Sequence, residues 1–161
     1  MGRKTRARHT AVFFLSCAAL WGQSVSITTM SAPDGSSGSI LLKLDAPAGK
    51  TPVALQWDFV FPASIAVDPS DLIAGSAAEA AEKTLTCAAG AGKQAGGETL
   101  YRCILYGGQK PISGGVIVTV HYRARNKPKN SDKVKAQNVL GTALDIKPIP
   151  IAGAEAPLMP K

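Results

Sequence analysis

The segment VALQWDFVF, residues 53–61, alternates between two kinds of position with a period of two. One set is entirely large and apolar: Val53, Leu55, Trp57, Phe59 and Phe61. The other set is smaller and more polar: Ala54, Gln56, Asp58 and Val60. Because successive side chains of a strand point to opposite faces, this pattern predicts a β-strand with one buried face. The outward Gln56 and Asp58 belong either to a solvated strand face or to a binding surface.

Short extended segments of this kind recur along most of the chain. They include SILLKLD (39–45), GGVIVTVHYRA (114–124) and KVKAQNVLG (133–141), separated by turns rich in glycine and proline. The one helix candidate is SAAEAAEK (76–83), in which Ser76 would cap the helix and Glu79 would complete a capping box. About eight or nine short strands spaced by turns predict an all-β sandwich.

The first residues predict export. Four basic residues precede the apolar segment AVFFLSCAALWG (11–22), which is too short to span a bilayer but suits a secretory signal. Cleavage before Val25 would divide the chain into a signal peptide (1–24), a domain (25–151) and a flexible tail (152–161). Lipidation at Cys17 is the alternative. We therefore expect a secreted protein, extracellular, periplasmic or on the cell surface, without stable membrane insertion after signal cleavage.

Removal of the signal changes the charge. The whole chain has 18 Lys and Arg against 11 Asp and Glu, a net charge of +7. Four of the basic residues lie in the signal, so fourteen against eleven leaves a mature charge of +3. The remaining basic segment RARNKPKNSDKVK (123–135) contains no aromatic residue for base stacking, and we expect it to be a solvated turn. Nucleic acid is not the predicted partner.

Two of the three cysteines, Cys87 and Cys103, remain in the mature chain. An even pair in an oxidising compartment predicts a disulfide. The glycine-rich segment between the two cysteines would then be the loop of a hairpin that the bond staples.

Catalytic residues are hard to find in this sequence. The only histidines are His9, in the signal, and His121, on the outward side of a strand. The carboxylates are scattered, and we expect Asp68 and Asp71 to be turn residues without a metal. We predict no enzyme activity, no cofactor and no metal site.

Three segments resemble the cohesin family: TPVALQWDFVFPASIAVDPSDLIAG, YRCILYGGQKPISGGVIVTVHYRA and VKAQNVLGTALDIKPIP. The resemblance covers roughly residues 27–151 and implies a jelly-roll sandwich that binds a protein partner, a dockerin-like module being one candidate. It places Gln56 and Asp58 at partner-contacting positions on the exposed side of their strand. The small or apolar neighbours Ala54 and Val60 complete this surface, and Leu105 falls where the family often presents an apolar contact.

The alternative function is a carbohydrate-binding module associated with polysaccharide degradation. Such modules share the sandwich fold, and sugar rings stack on exposed aromatic side chains. Tyr101 and Tyr106 are the available platforms, although strand parity puts them on opposite faces. The sequence leaves both functions open.

Overall fold

A computed structural model describes residues 22–32, 34–90 and 95–158. The predicted signal peptide, apart from its last three residues, and Cys17 lie outside these residues. The described chain contains eleven strands, one short helix and two 3-10 turns. The elements are β1 (Gln23–Ser31), β2 (Ser37–Asp45), β3 (Ala54–Phe61), β4 (Ile65–Ala66), β5 (Leu72–Ala74), α1 (Ser76–Ala80), β6 (Thr84–Ala89), β7 (Thr99–Tyr106), β8 (Gly115–Ala124), β9 (Lys133–Thr142), β10 (Pro148–Ala152) and β11 (Ala154–Pro157).

The strands form one curled sheet in the order β4-β8-β2-β1-β10-β9-β3-β7-β6, with β5 beside β8 and β11 beside β9. One layer contains β4, β5, β8, β2 and β1, and the other contains β10, β11, β9, β3, β7 and β6. All pairings are antiparallel except the one between β1 and β10, where Gln23 lies opposite Ile151 and Ser24 opposite Ala152. The predicted jelly-roll sandwich is confirmed. The three short strands β4, β5 and β11 raise the number of strands above the predicted eight or nine.

The core lies between the two layers, and β3 supplies its largest side chains. Leu55, Trp57, Phe59 and Phe61 are almost completely buried, as the alternation predicted. The rings of Trp57 and Phe59 meet edge to face at 5.9 Å between centroids, and Phe59 stacks on Phe61 at 5.2 Å. Tyr101 of β7 extends this aromatic row. Because β3 is held in this way from inside, the direction of its outer side chains is fixed.

The disulfide prediction is confirmed. Cys87 of β6 and Cys103 of β7 are direct cross-strand partners, and their sulfur atoms are bonded. The glycine-rich segment connects the two strands, as the hairpin prediction required. The bond therefore fastens β6, the last strand of its layer, to the strand that carries much of the candidate site.

Two predictions about local structure are wrong. Gly75, not Ser76, is the N-cap of α1, because the helix already includes Ser76. The tail also is not frayed from residue 152: β11 pairs with β9, and Leu158 is fully buried. The sequence of the tail has no periodicity, so neither β11 nor the burial of Leu158 could be predicted from it.

The start of β1 bears on the predicted cleavage site. Gln23 is buried and pairs with Ile151, and Ser24 pairs with Ala152. Cleavage before Val25 would remove both of these residues and with them the only parallel pairing among the described strands. The division of the chain at residue 24 stays a prediction.

Candidate functional site

The outward side of β9, β3, β7 and β6 forms a continuous surface, which we call the outer face. Its central row crosses four strands: Leu140 of β9 lies opposite Gln56, Gln56 opposite Ile104, and Ile104 opposite Thr86. Because the four residues are cross-strand partners, their side chains project from the same side of the sheet and form one continuous strip. Gln56 lies at its middle and is exposed, as the sequence predicted.

Asp58 lies in the next row and is the centre of a polar network. Its Oδ1 accepts a hydrogen bond from Arg102 Nε at 2.8 Å, and its Oδ2 accepts one from Arg102 Nη2 at 3.0 Å. A third bond comes from Asn138 Nδ2 at 2.9 Å. The side chain of Arg102 is 62% exposed whereas that of Asp58 is only 4% exposed. Arg102 therefore covers the carboxylate and presents its own charge to solvent.

A β-bulge brings Asn138 into this network. The register between β3 and β9 shifts between Gln56 and Asp58, so that one extra residue of β9 fits there. Asn138 has a φ of 54°, a left-handed conformation that asparagine tolerates better than most residues. Bulges commonly redirect a side chain. Here the bulge directs the amide of Asn138 at Asp58.

The network fixes the charge state of Asp58. The hydrogen bonds from Arg102 lower the pKa of the Asp58 carboxyl group, against the opposing effect of burial, and the bond from Asn138 lowers it further. The same carboxylate raises the pKa of Arg102. The outer face thus presents a bidentate, charge-assisted pair whose geometry is set before any partner arrives.

Apolar side chains lie on the outer face to one side of this pair. Ile104 is 38% exposed, Leu140 43% and Tyr106 45%. The outer face contains a shallow depression of about 660 Å³, which lies between the edge strand β6 and the side chains of Gln56, Arg102 and Ile104. Aromatic and arginine side chains are enriched at the centres of protein–protein interfaces, whose fully buried parts are more apolar than the rest of the surface.

The structure places the five predicted contact residues differently from one another. Gln56 is exposed and Ala54 is half-buried, both on the outer face. Asp58 points to this face but is covered by Arg102. Val60 faces the same way and is buried. Leu105 is fully buried beside Leu55, so its predicted outward contact is wrong.

The sequence prediction missed Ile104, Leu140, Arg102 and Asn138 as members of this face. The parity of β7 contained the signal for two of them: if Cys103 and Leu105 point inward, Arg102 and Ile104 must point outward. Tyr106 shares that parity, whereas Tyr101 is buried and donates a hydrogen bond to the carbonyl of Val67. Only one of the two predicted sugar platforms is therefore accessible.

Other chemistry is sparse in the part of the chain that the structure describes. It holds no group of three or more histidine, cysteine, aspartate or glutamate residues that would bind a metal ion. No helix there is long and apolar enough to cross a membrane. Asp68 precedes a short 3-10 turn and Asp71 ends it. The Asp71 carboxylate accepts a hydrogen bond from the Asp68 N–H, and Arg123 forms an ion pair with Asp68.

The described strands form a jelly-roll sandwich with a continuous, partly apolar outer face. Comparison with solved structures shows that the fold is cohesin-like. No sequence-family profile matches the chain. No curated protein matches it either.

Three solved structures illustrate the likeness. A non-cellulosomal cohesin from the hyperthermophilic archaeon Archaeoglobus fulgidus has a TM-score of 0.60 at 14% identity, over 83% of this chain and 88% of the other. A cohesin from a type I cohesin–dockerin complex of Clostridium thermocellum has a TM-score of 0.63 at 13% identity, over 86% and 99%. The cohesin module of a family 33 glycoside hydrolase from Clostridium perfringens has a TM-score of 0.59 at 13% identity, over 83% and 94%.

Proposed function

We propose that this chain is an exported, non-catalytic module that binds a protein partner through its outer face. The observation that carries the proposal is the combination of exposed Ile104, Leu140 and Tyr106 with the fixed Arg102–Asp58 pair. Burial of the apolar side chains would stabilise a complex, and the charged pair would favour one partner and one orientation over others. Several of the similar solved structures are cohesins in complex with dockerins. A dockerin-type module is therefore the first partner to test.

The rigidity of the outer face supports a preformed binding surface. The inner side chains of β3 are packed in the aromatic row, the disulfide fastens β6 to β7, and the bulge fixes Asn138. A surface that is already ordered loses little conformational entropy when it binds. Among the described residues, the charged side chains at the centre of this face are Arg102 and Asp58, which are hydrogen-bonded to each other.

The chain contains a matched control for the outer face. Ile73 of β5 is 46% exposed, close to the 38% of Ile104, but it lies in the other layer. We would place a photo-crosslinking amino acid at position 104 or at position 73 and expose each protein to purified dockerin modules from the source genome and then to its secreted fraction. We expect a discrete crosslinked partner from position 104 and none from position 73.

The same pair of positions tests affinity for the partner that is found. Ile104→Asp places a charge where the partner's apolar surface would bind, and we expect at least about a tenfold loss of affinity, equivalent to about 1.4 kcal/mol. Ile73→Asp should leave affinity unchanged. Thermal unfolding of both variants checks that they are folded. A partner that crosslinks from position 73, or that binds the Ile104→Asp protein normally, would contradict the proposal.

A further inference from the structure

A second concave surface lies at one end of the sandwich, beyond the last residue of β3, where it adjoins the outer face through Lys133 and Lys135 of β9. It is a cavity of about 400 Å³ between the turn that follows β3, the residues just before β7 and the β8–β9 loop. This volume lies within the range of about 300–1,000 Å³ that is typical of small-ligand pockets. Four lysines line it, Lys127, Lys129, Lys133 and Lys135, against the two acidic residues Glu98 and Asp132.

The acidic residues near the cavity are already engaged, whereas two of the lysines are not. Glu155 pairs with Lys133 at 2.6 Å, Glu98 lies 4.0 Å from Lys135, and Asp132 accepts a hydrogen bond from a backbone N–H. Within the described residues, the ammonium groups of Lys127 and Lys129 have neither an ion-pair partner nor a hydrogen-bond acceptor. The cavity therefore has an uncompensated positive charge.

Ser64 adds an independent observation. This residue lines the cavity and is 9% exposed, and its hydroxyl has no hydrogen-bond partner. A buried polar group without a partner costs about 1–3 kcal/mol, so such groups are rare unless a ligand or water completes them. The backbone around it is well ordered, because the Ser64 carbonyl accepts bonds from the N–H groups of Arg125 and Asn126 at 2.8 and 3.2 Å.

We propose that this cavity binds an anionic sugar unit of a polysaccharide, one that carries a carboxylate, sulfate or phosphate group. Lys127 and Lys129 would pair with the oxyanion, and Asn126 and Ser131 would hydrogen-bond to ring hydroxyl groups. The Ser64 hydroxyl oxygen is covered in the free protein, and rotation of its side chain, which breaks no hydrogen bond, would turn it toward the ligand. The small side chains of Pro62, Ala63 and Gly96 leave room for a sugar ring. No aromatic residue lines the cavity, so neither a base nor a sugar ring can stack there, and recognition would rest on the oxyanion and on hydroxyl groups, which a sugar unit supplies in greater number than a base. This interaction is separate from the proposed protein-binding role and does not depend on it.

Two double variants with the same loss of charge test the site. Lys127→Gln/Lys129→Gln removes the two unpaired lysines, and Lys43→Gln/Lys50→Gln removes two exposed lysines away from the cavity. Binding to immobilised heparin, which supplies sulfate, and to polygalacturonate, which supplies carboxylate, would be measured at about 50 mM salt. Dextran and a single-stranded oligonucleotide are the neutral and non-glycan probes. We expect at least one anionic glycan to bind, and to lose about tenfold in affinity in the first variant but less than about threefold in the second.

Ser64→Ala provides a test that net charge does not affect. Since the hydroxyl has no partner in the free protein, its removal should not lower the thermal stability, yet it should weaken glycan binding several-fold. The proposal is overturned if neither anionic glycan binds, if both double variants lose affinity equally, if the oligonucleotide binds as tightly as the glycans, or if Ser64→Ala binds normally. Because no variant here touches the outer face, these results are independent of the crosslinking experiment at Ile104.

Discussion

Replacement of Asp58 by alanine tests whether the polar network stabilises the fold. The change removes the acceptor of three hydrogen bonds. The side chain of Arg102 is 62% exposed, so water can replace its lost hydrogen bonds. Its ion pair with Asp58 therefore contributes about as much to stability as a surface ion pair, about 0–1 kcal/mol. The bond to Asn138 holds the bulge in place and contributes about 1 kcal/mol. We therefore expect Asp58→Ala to lower the free energy of unfolding by about 1–2 kcal/mol at pH 7.

The effect should depend on pH in a defined direction. The pKa of Asp58 is lower in the folded protein than its ordinary value, so the network stabilises the fold above the unfolded-state pKa of about 3.9. This stabilisation is lost as the pH falls through the lower, folded-state pKa. The difference between the native protein and Asp58→Ala should therefore be complete at pH 7 and should shrink below about pH 4.

Urea unfolding with the disulfide intact, followed by circular dichroism at neutral and acidic pH, measures the loss of stability and its dependence on pH. Gln56→Ala is the control, since its exposed side chain lies on the same strand and face; it should change stability by no more than about 0.5 kcal/mol at either pH. A loss below about 0.5 kcal/mol for Asp58→Ala at pH 7 would refute the stabilising role of the network. A loss that is independent of pH would show that it arises from packing and not from the charge of Asp58.

Two further substitutions test the core and a strained turn. Trp57→Ala removes a fully buried indole and should cost about 3–5 kcal/mol in urea unfolding; a cost near 0.5 kcal/mol would mean that β3 is out of register. Ile146, in the β9–β10 turn, is 84% exposed and has a φ of 66°, which is unfavourable for a β-branched residue. Ile146→Asn should raise the stability by about 1 kcal/mol in thermal unfolding, whereas Ile146→Val should not, and a destabilised asparagine variant would contradict the assignment of strain.

The sequence predicted the parts of this structure that depend on local alternation. The apolar residues of β3 face the core because successive side chains of a strand point to opposite sides of the sheet. The Cys87–Cys103 bond was predictable because removal of the signal leaves an even pair of cysteines. The composition of the outer face was harder to predict. Arg102 covers Asp58 only because β7 pairs with β3 in one particular register, and Asn138 reaches it only through a bulge in β9. Both depend on pairing between distant segments, which the local pattern does not contain.

The parallel seam between β1 and β10 joins the two extremes of the described chain. Contacts so far apart in sequence are formed late, because the entropy of closing a long loop must be lost before they are gained. As the chain emerges from a ribosome or a translocation pore, β1 and β2 can pair early, but the other edge of β1 has to wait for the last strands. Until then it is an open template for pairing with a neighbouring molecule. The interval before the seam closes is thus the period in which this protein is most exposed to aggregation.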